Sequence, residues 1–464
     1  MTAPAVENSS DSRKRVLSGM RPTGRLHIGH YFGALQNWIK LHNDPQYECF
    51  FFIADWHALT SDYADTSQVA QNTIEIATDW LAAGLDPERC TMFVQSAVPE
   101  HAELQLLLSM VTPLGWLERV PTYKEALDNV KDKDLHTYGF LGYPVLQTAD
   151  IVMYGEPDSE LVVPVGEDQV SHVELSREIV RRFNYFYGVE IERGFFEDPM
   201  RSRGAGDALQ SDSLEIDQRL FEGWLPVFYV LAKLEGSSTT KLHVVQEGLS
   251  EEQKSGYESR IRKHIIEMGS ENFLSRIPQA RQYFRTRGLR EPEAMLTQTP
   301  RIPGTDGRKM SKSYGNVISL SETDESIRVK TKAMMTDPAR KRRTDPGNPD
   351  VCPAYDWHKL FSPQETLEWA SHGCRTAGIG CIECKAAMAD HLIKWIEPVR
   401  QRRADYEQQP QHVLEILDTG STRARMVAQD TMERVREAVF GWEKTRANLT
   451  AVPRGGTKNV KAGN

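Results

Sequence analysis

Two short words lie almost three hundred residues apart in this chain. His27-Ile28-Gly29-His30 closes the segment Ser18-Gly19-Met20-Arg21-Pro22-Thr23-Gly24-Arg25-Leu26, and Lys309-Met310-Ser311-Lys312-Ser313 follows Gly304-Thr305-Asp306-Gly307-Arg308. His27 and His30 are three apart, so on a helix both rings face one side. Imidazoles in that position donate hydrogen bonds to phosphate oxygens as charge builds on them. Gly29 lacks a Cβ, so a flat ring could lie against the backbone there. Lys309 and Lys312 carry cations on long stems, and Gly304, Gly307 and Gly315 would let their loop open and close. Such groups suit chemistry at a polyphosphate, where the work is positioning and charge stabilisation rather than acid–base catalysis. Each word has a plainer alternative: two surface histidines at a helix start, and a solvated basic turn.

A third set is Cys352, Cys374, Cys381 and Cys384, spaced C-x21-C-x6-C-x2-C. Four thiolates with a terminal C-x2-C clip read as a metal site. Four sulfurs suit zinc or an iron–sulfur cluster, and spacing does not separate them. Cys49 and Cys90 sit in or beside apolar runs and read as packing residues.

The elements around these residues follow from local pattern. Arg15-Val16-Leu17-Ser18 suits a strand, Gly19, Pro22 and Gly24 punctuate a loop, and Tyr31, Leu35, Trp38 and Ile39 recur at helical spacing. A helix therefore begins near Gly29, with its free N–H groups and positive dipole end available to a phosphate. Residues 49–55 and 91–95 read as further strands and 68–83 as a helix, an α/β alternation around a parallel sheet. Residues 104–120 and 167–183 read as helices of a smaller substrate-capping region, and the chain from about 325 to 442 reads as helical throughout.

The predicted organisation is a disordered leader (1–14), a Rossmann-type catalytic domain (15–188), an inserted, mostly helical module (189–289), the end of the catalytic domain with the second word's loop (290–324), an all-α domain with the cysteines (325–448) and a loose tail (449–464). Within the insertion, Leu220, Trp224, Val227, Phe228 and Leu231 suggest an amphipathic helix that Pro226 would kink, and residues 258–267 suggest a second helix.

The net charge of −9 over 464 residues does not announce a nucleic-acid binder, so an RNA ligand needs local basic patches. Arg340-Lys341-Arg342-Arg343 is one candidate, and Arg400, Arg402 and Arg403 form another, although a solvated helix face is the commoner fate of each. No apolar run approaches a membrane span, and the polar first residues lack a signal-peptide core. The expected location is the cytoplasm.

The two words together resemble the signatures of class I aminoacyl-tRNA synthetases. Tyr143-Pro144-Val145-Leu146-Gln147-Thr148-Ala149-Asp150-Ile151 and Val163-Pro164-Val165-Gly166-Glu167-Asp168-Gln169 narrow the resemblance to the tryptophanyl-tRNA synthetase family, over roughly residues 15–188 and 290–442. The resemblance implies that L-tryptophan is activated with ATP and Mg²⁺ and passed to the 2′-hydroxyl at the end of tRNA(Trp). It also implies a helical anticodon-binding domain and a homodimer. His27, His30, Lys309, Ser311 and Lys312 take the catalytic positions. The ATP positions are Arg21, Pro22, Thr23, Gly24, Gly29, His30, Gly166, Glu167, Asp168, Ile302, Lys309, Met310, Ser311, Lys312 and Ser313, with Gly166 and Asp168 at the ribose and Ile302 at the adenine. Asp150 would accept the indole N–H, Tyr143 and Gln169 would hold the α-amino group, and Gln147, Val163 and Val165 would line the slot.

Arg21 stands where many members have glutamine, and Gln147 where methionine is common. The arginine and the four cysteines resemble a subset of the family with a [4Fe–4S] cluster, the first gap being one residue shorter. Residues 189–289 stand outside the resemblance. Two alternatives are a tyrosyl-type enzyme, which shares fold and signatures, and a non-catalytic metal-containing RNA-binding paralogue, against which the intact motifs argue.

Overall fold

A computed structural model describes residues 13–129, 133–156, 159–191, 250–276, 283–297 and 302–451. Five parallel strands form the central sheet in the order β3-β2-β1-β4-β7, where β1 is Lys14–Met20, β2 Tyr47–Ile53, β3 Thr91–Val94, β4 Leu161–Val165 and β7 Pro292–Leu296. The chain runs outward from β1 through β2 to β3, then returns to lay β4 on the other side of β1. The order reverses between β1 and β4, and in open parallel sheets ligands bind beyond the carboxyl ends of the strands at such a point.

Side chains alternate along β2, as a pleated strand buried on both faces requires. Cys49, Phe51 and Ile53 face a core with Trp38, Ile76 and Trp80. Phe50 and Phe52 face a second core with Phe93, Tyr154 and Phe183. The expected strand at residues 15–18, the helix start near Gly29 and the buried run at Cys49 are all found. The helix after β1 is not regular: Ile28–His30 passes through a π-turn at Tyr31–Leu35 before Gln36–Asn43. Glu100–Ser109 and Leu114–Leu117 are separate helices, with Pro113 between them.

The described part of the insertion contains helices Glu251–Met268 and Ser270–Arg276. It also has a stem that the helical expectation lacked, a two-stranded antiparallel pair of β5, Val189–Ile191, with β6, Phe284–Thr286. The expected helix around Leu220 to Leu231 lies outside the described residues, as do most of the leader and nearly all of the tail.

Two long helices, Cys381–Glu407 and Pro410–Phe440, carry the C-terminal domain back onto the sheet. The second crosses β3, where a Cβ on Gly420 would lie 1.8 Å from the Met92 carbonyl oxygen. Only glycine permits that approach. Ser421 Oγ accepts the Val94 N–H at 3.4 Å, so this helix covers the sheet's edge strand.

Candidate active site

A cavity of about 540 Å³ opens beyond the carboxyl ends of β1, β2 and β4. Gly19 enters it from the end of β1 and Arg21 just after it, His57 after β2, and Gly166 and Gln169 after β4, while the Tyr138–Val152 helix contributes Tyr143, Gln147 and Asp150. Val163 and Val165 also line it. Every predicted tryptophan-site residue therefore faces one cavity.

Asp150 is 1% exposed. Gln95 Nε2 donates to both its oxygens, at 2.8 and 2.9 Å, His57 Nε2 lies 2.8 Å from Oδ2, and His101 Nδ1 lies 2.5 Å from Oδ1. Burial pushes the carboxyl up, but hydrogen bonds from His101 and His57 more than offset it, and Asp150 stays below the ordinary carboxylate range. His101 Nε2 in turn lies 2.7 Å from the Tyr154 hydroxyl, which burial holds protonated well above the usual range. Asp150 is thus not waiting for a partner, as the sequence suggests. Its carboxylate has about four acceptor sites, and four contacts already use them.

Along the same helix face, the Tyr143 hydroxyl lies 2.6 Å from Thr122 Oγ1, which lies 2.8 Å from His172 Nε2, and His172 Nδ1 lies 2.9 Å from Gln147 Oε1. A chain of hydrogen bonds therefore fixes both Tyr143 and Gln147. At the rim, the Arg21 guanidinium is tied to Ser61 Oγ at 2.5 Å and to Asp62 at 3.1 Å, so Asp62 shares its charge.

The first and second words meet at the other end of the cleft. The rings of His27 and His30 stack at 3.7 Å, and the His27 backbone N–H donates to His30 Nδ1 at 3.3 Å. Lys312 Nζ donates to the Thr23 carbonyl at 2.7 Å, beside Gly24 at φ +88°. Burial, then the Lys312 charge, lowers His27 to about 4. Burial, then His27 and Lys312, lowers His30 to about 3. Both rings are neutral at pH 7, and His27 Nδ1 is buried without a partner. Met310 Sδ would lie 3.2 Å from a Cβ on Gly29, and Met310 and Ile302 share one core cluster.

Asn316 organises the second loop: it accepts the Ser311 N–H at 2.8 Å and donates to Asp306 and to the Lys309 carbonyl. Lys309 itself is exposed, and among the described residues no contact places it with the histidines. Glu167 is exposed and Pro22 buried. The side chains of Asp168 and Ser313 lie outside the described part.

The cysteines come from three helix ends: Cys352 precedes Pro353–Phe361, Cys374 ends Gln364–Arg375, and Cys381 and Cys384 open Cys381–Glu407. All four are free. Burial, then the nearness of Cys352, Cys374 and Cys381, pushes the Cys384 thiol up to about 12. Arg340 donates to Cys374 Sγ at 3.8 Å, and His358 Nε2 lies 3.4 Å from Cys384 Sγ. The four sulfurs share one corner of the fold, yet no three side chains among the described residues converge closely enough to hold a metal ion. The expected assembled four-sulfur centre is not seen among the described residues.

The basic patches are also revised. Arg340 and Arg403 are buried and Arg400, half-buried, donates to the Glu322 carbonyl, leaving Lys341, Arg342, Arg343 and Arg402 exposed, the last donating to the Ala82 carbonyl. Sequence reasoning missed Gln95, His57, His101, Thr122 and His172. Gln95 directly follows the end of β3 and His57 lies in the first turn after β2, a signal that could have found them.

A family model described as tRNA synthetases class I (W and Y) matches residues 9–205 and 264–397. A tryptophan–tRNA ligase of Ralstonia nicotianae is 45% identical across 92% of this chain and 98% of its own. The chain belongs to the tryptophanyl-tRNA synthetase family. The ligase of Thermotoga maritima is 39% identical over the same shares of each chain. The tryptophanyl-tRNA synthetase of Campylobacter jejuni, solved with ADP and tryptophan, superposes with a TM-score of 0.63 at 26% identity, covering 92% of this synthetase and 99% of its own chain. The break in the family match, 206–263, falls inside the region that the sequence marks as an insertion.

Proposed function

We propose that this synthetase activates L-tryptophan with ATP and charges tRNA(Trp), as a tryptophan–tRNA ligase. The observation that carries the reading is the near full-length identity to tryptophan–tRNA ligases. The tryptophan carboxylate attacks the α-phosphorus of ATP. A P–O bond forms to that oxygen as the bond to the bridging α–β oxygen breaks, and pyrophosphate departs with the electron pair. His27 and His30, as neutral N–H donors, and Lys312, as a cation, face the charge that shifts toward the leaving group. Lys309 joins them when the glycine-bearing loop closes. Mg²⁺ bound with ATP would offset phosphate charge. In the second step the tRNA 2′-hydroxyl attacks the aminoacyl carbonyl, and AMP leaves.

Asp150 selects the indole, but with its acceptor sites in use the indole N–H reaches it by displacing a donor. His57 is the partner that lines the cavity, whereas Gln95 and His101 lie behind the wall. Tyr143 and Gln169 take the α-amino group, and Gly166, Asp168 and Ile302 take the nucleoside. Tryptophan-dependent exchange of pyrophosphate into ATP, together with charging of tRNA(Trp), is the test. Exchange that tyrosine supports equally well overturns the specificity.

Two finer readings go with it. Cys352, Cys374, Cys381 and Cys384 hold an iron–sulfur cluster, with zinc the alternative. What supports this is four free thiols on three helix ends beside the buried Arg340 cation. A bound cluster would tie those ends together. Anaerobic purification with iron and zinc counted decides between the metals. The enzyme is a homodimer of the cytoplasm. Supporting the dimer, Leu106, Met110 and Leu114 are exposed by 52, 72 and 61% within two consecutive short helices and their link. Met110→Glu should give a monomer in sedimentation. Among the described residues no helix is long and apolar enough to cross a membrane.

A further inference from the structure

Arg403 lies near the end of the Cys381–Glu407 helix, yet it is 2% exposed and among the largest fully buried side chains. Its guanidinium donates to the carboxylates of Asp79 and Glu75, to the Glu75 carbonyl at 3.3 Å, and pairs with Glu407 at 3.1 Å. Asp79, on the Val69–Ala83 helix, is wholly buried, and its other oxygen accepts the Leu26 N–H at 2.6 Å. The Leu26 carbonyl accepts from the Leu320 N–H at 2.9 Å and the Ser319 hydroxyl at 3.2 Å. The Ile28 N–H donates to the Ile318 carbonyl at 3.0 Å. The backbone on both sides of His27 is therefore pinned, and the Arg403 end of the brace reaches into the C-terminal domain.

A buried ion pair adds little net stability over a well-packed apolar pair. Adhesion between the domains does not require one here, because Leu392, Ile396 and Val399 on the same helix already join the core beneath Trp80. What the charged pair adds is direction. One carboxylate oxygen faces the distant helix and the other faces the Arg25–Leu26 peptide, one residue ahead of His27.

We infer that Arg403 and Asp79 are positioning residues for the activation step, setting the height of the Arg25–Leu26 peptide and with it the histidine pair that follows. The inference rests on the reading of His27 and His30 as donors to ATP. It has a structural consequence. The helix that carries Arg403 carries Cys381 and Cys384 in its first turn, so a shift of that helix is transmitted to the catalytic histidines.

The experiment is tryptophan-dependent pyrophosphate exchange by full-length Arg403→Met, Arg403→Lys, Asp79→Asn, Arg402→Met and His27→Asn, with a melting temperature for each. Misplacing a catalytic group by a fraction of an ångström costs about 10-fold or more in kcat. That loss is expected for Arg403→Met, with KM for tryptophan within about twofold of the parent and partial recovery in Arg403→Lys. Asp79→Asn keeps an acceptor for the Leu26 N–H and should lose about threefold. Arg402→Met removes a neighbouring contact of the same helix and should keep the parental kcat. If Arg403→Met melts lower but exchanges at the parental kcat, or falls no further than Arg402→Met, the brace is only adhesive and the inference fails. Should Arg403→Met not fold, Asp79→Asn decides, and a parental kcat there overturns the idea. If His27→Asn retains parental exchange, it is instead the reading of the first motif that fails.

Discussion

The two ends of the cleft are built on opposite plans. At the tryptophan end every polar group is already engaged. Asp150 is held by Gln95, His57 and His101, and Tyr143 and Gln147 are held through Thr122 and His172. At the phosphate end, His27 Nδ1 is buried without a partner and two stacked imidazoles are kept neutral beside a lysine. A buried network that is fully satisfied is rigid and strict about what displaces it. A desolvated cluster with unused donors is costly at rest and gains most when negative charge arrives. Selectivity is thus built in before substrate binds, whereas charge stabilisation is held in reserve.

The largest expected effect tests that reserve. Lys312→Ala should lower exchange kcat by about 10²–10³-fold, the usual cost of removing a preorganised charge partner. KM for tryptophan should move little. A variant that loses tryptophan binding as severely as turnover would erase the distinction between the two ends. Next comes Asp150→Ala, which should lower kcat/KM for tryptophan by about 10²-fold or more while KM for ATP stays near the parent. The sharper version uses His57. If the indole displaces it from Asp150, His57→Ala spares or tightens tryptophan binding, whereas a large rise in KM makes His57 itself the recognising group. His101→Gln follows, and its readout is stability. Removing a partner of a wholly buried carboxylate costs about 1–3 kcal/mol, measurable by urea unfolding, and an unchanged midpoint would mean that Gln95 and His57 suffice.

The contrast between the ends also explains what could be read from the chain alone. His27, His30 and Lys312 are local words, and the strand-turn-helix that presents them is written in the adjacent residues. The parallel sheet was legible in the period-two and all-apolar runs around Leu17 and Phe51. Asp150's partners were not legible, because His57 follows β2 while Gln95 and His101 follow β3, and only the sheet order brings both connections to Asp150. Arg403 shows the limit most clearly. In sequence it belongs to a basic cluster on a helix, a pattern usually left in solvent. Its burial depends on Asp79 and Glu75, more than three hundred residues away, and no periodicity in either helix announces that they meet. The cysteines lie between these cases: their spacing is explicit, but convergence of their sulfurs is a property of ligation that spacing does not supply.

The smallest effect separates the two ends by pH. His27 and His30 have folded values of about 4 and 3, below the unfolded value near 6.5. A histidine with a depressed folded value supplies stability that is fully present above the unfolded value and is lost as pH falls toward the folded one. Asp150 is also depressed, but from a carboxylate's value, so its contribution stays until pH falls below about 4. Acidification from pH 7 to 5 therefore loosens the phosphate end while the tryptophan end holds. Asp79 works the other way: burial raises it to about 6, above its unfolded value, so its share is lost as pH rises through 6 and regained on acidification. For these three groups the net change is a fall of about 2–3 kcal/mol. His27→Asn removes one of the two titrating rings, so its stability should fall less than the parent's between pH 7 and 5. Equal slopes for parent and variant in urea unfolding at the two pH values would show that His27 is not held neutral by burial. The account of a charge-hungry phosphate end would then lose its electrostatic basis.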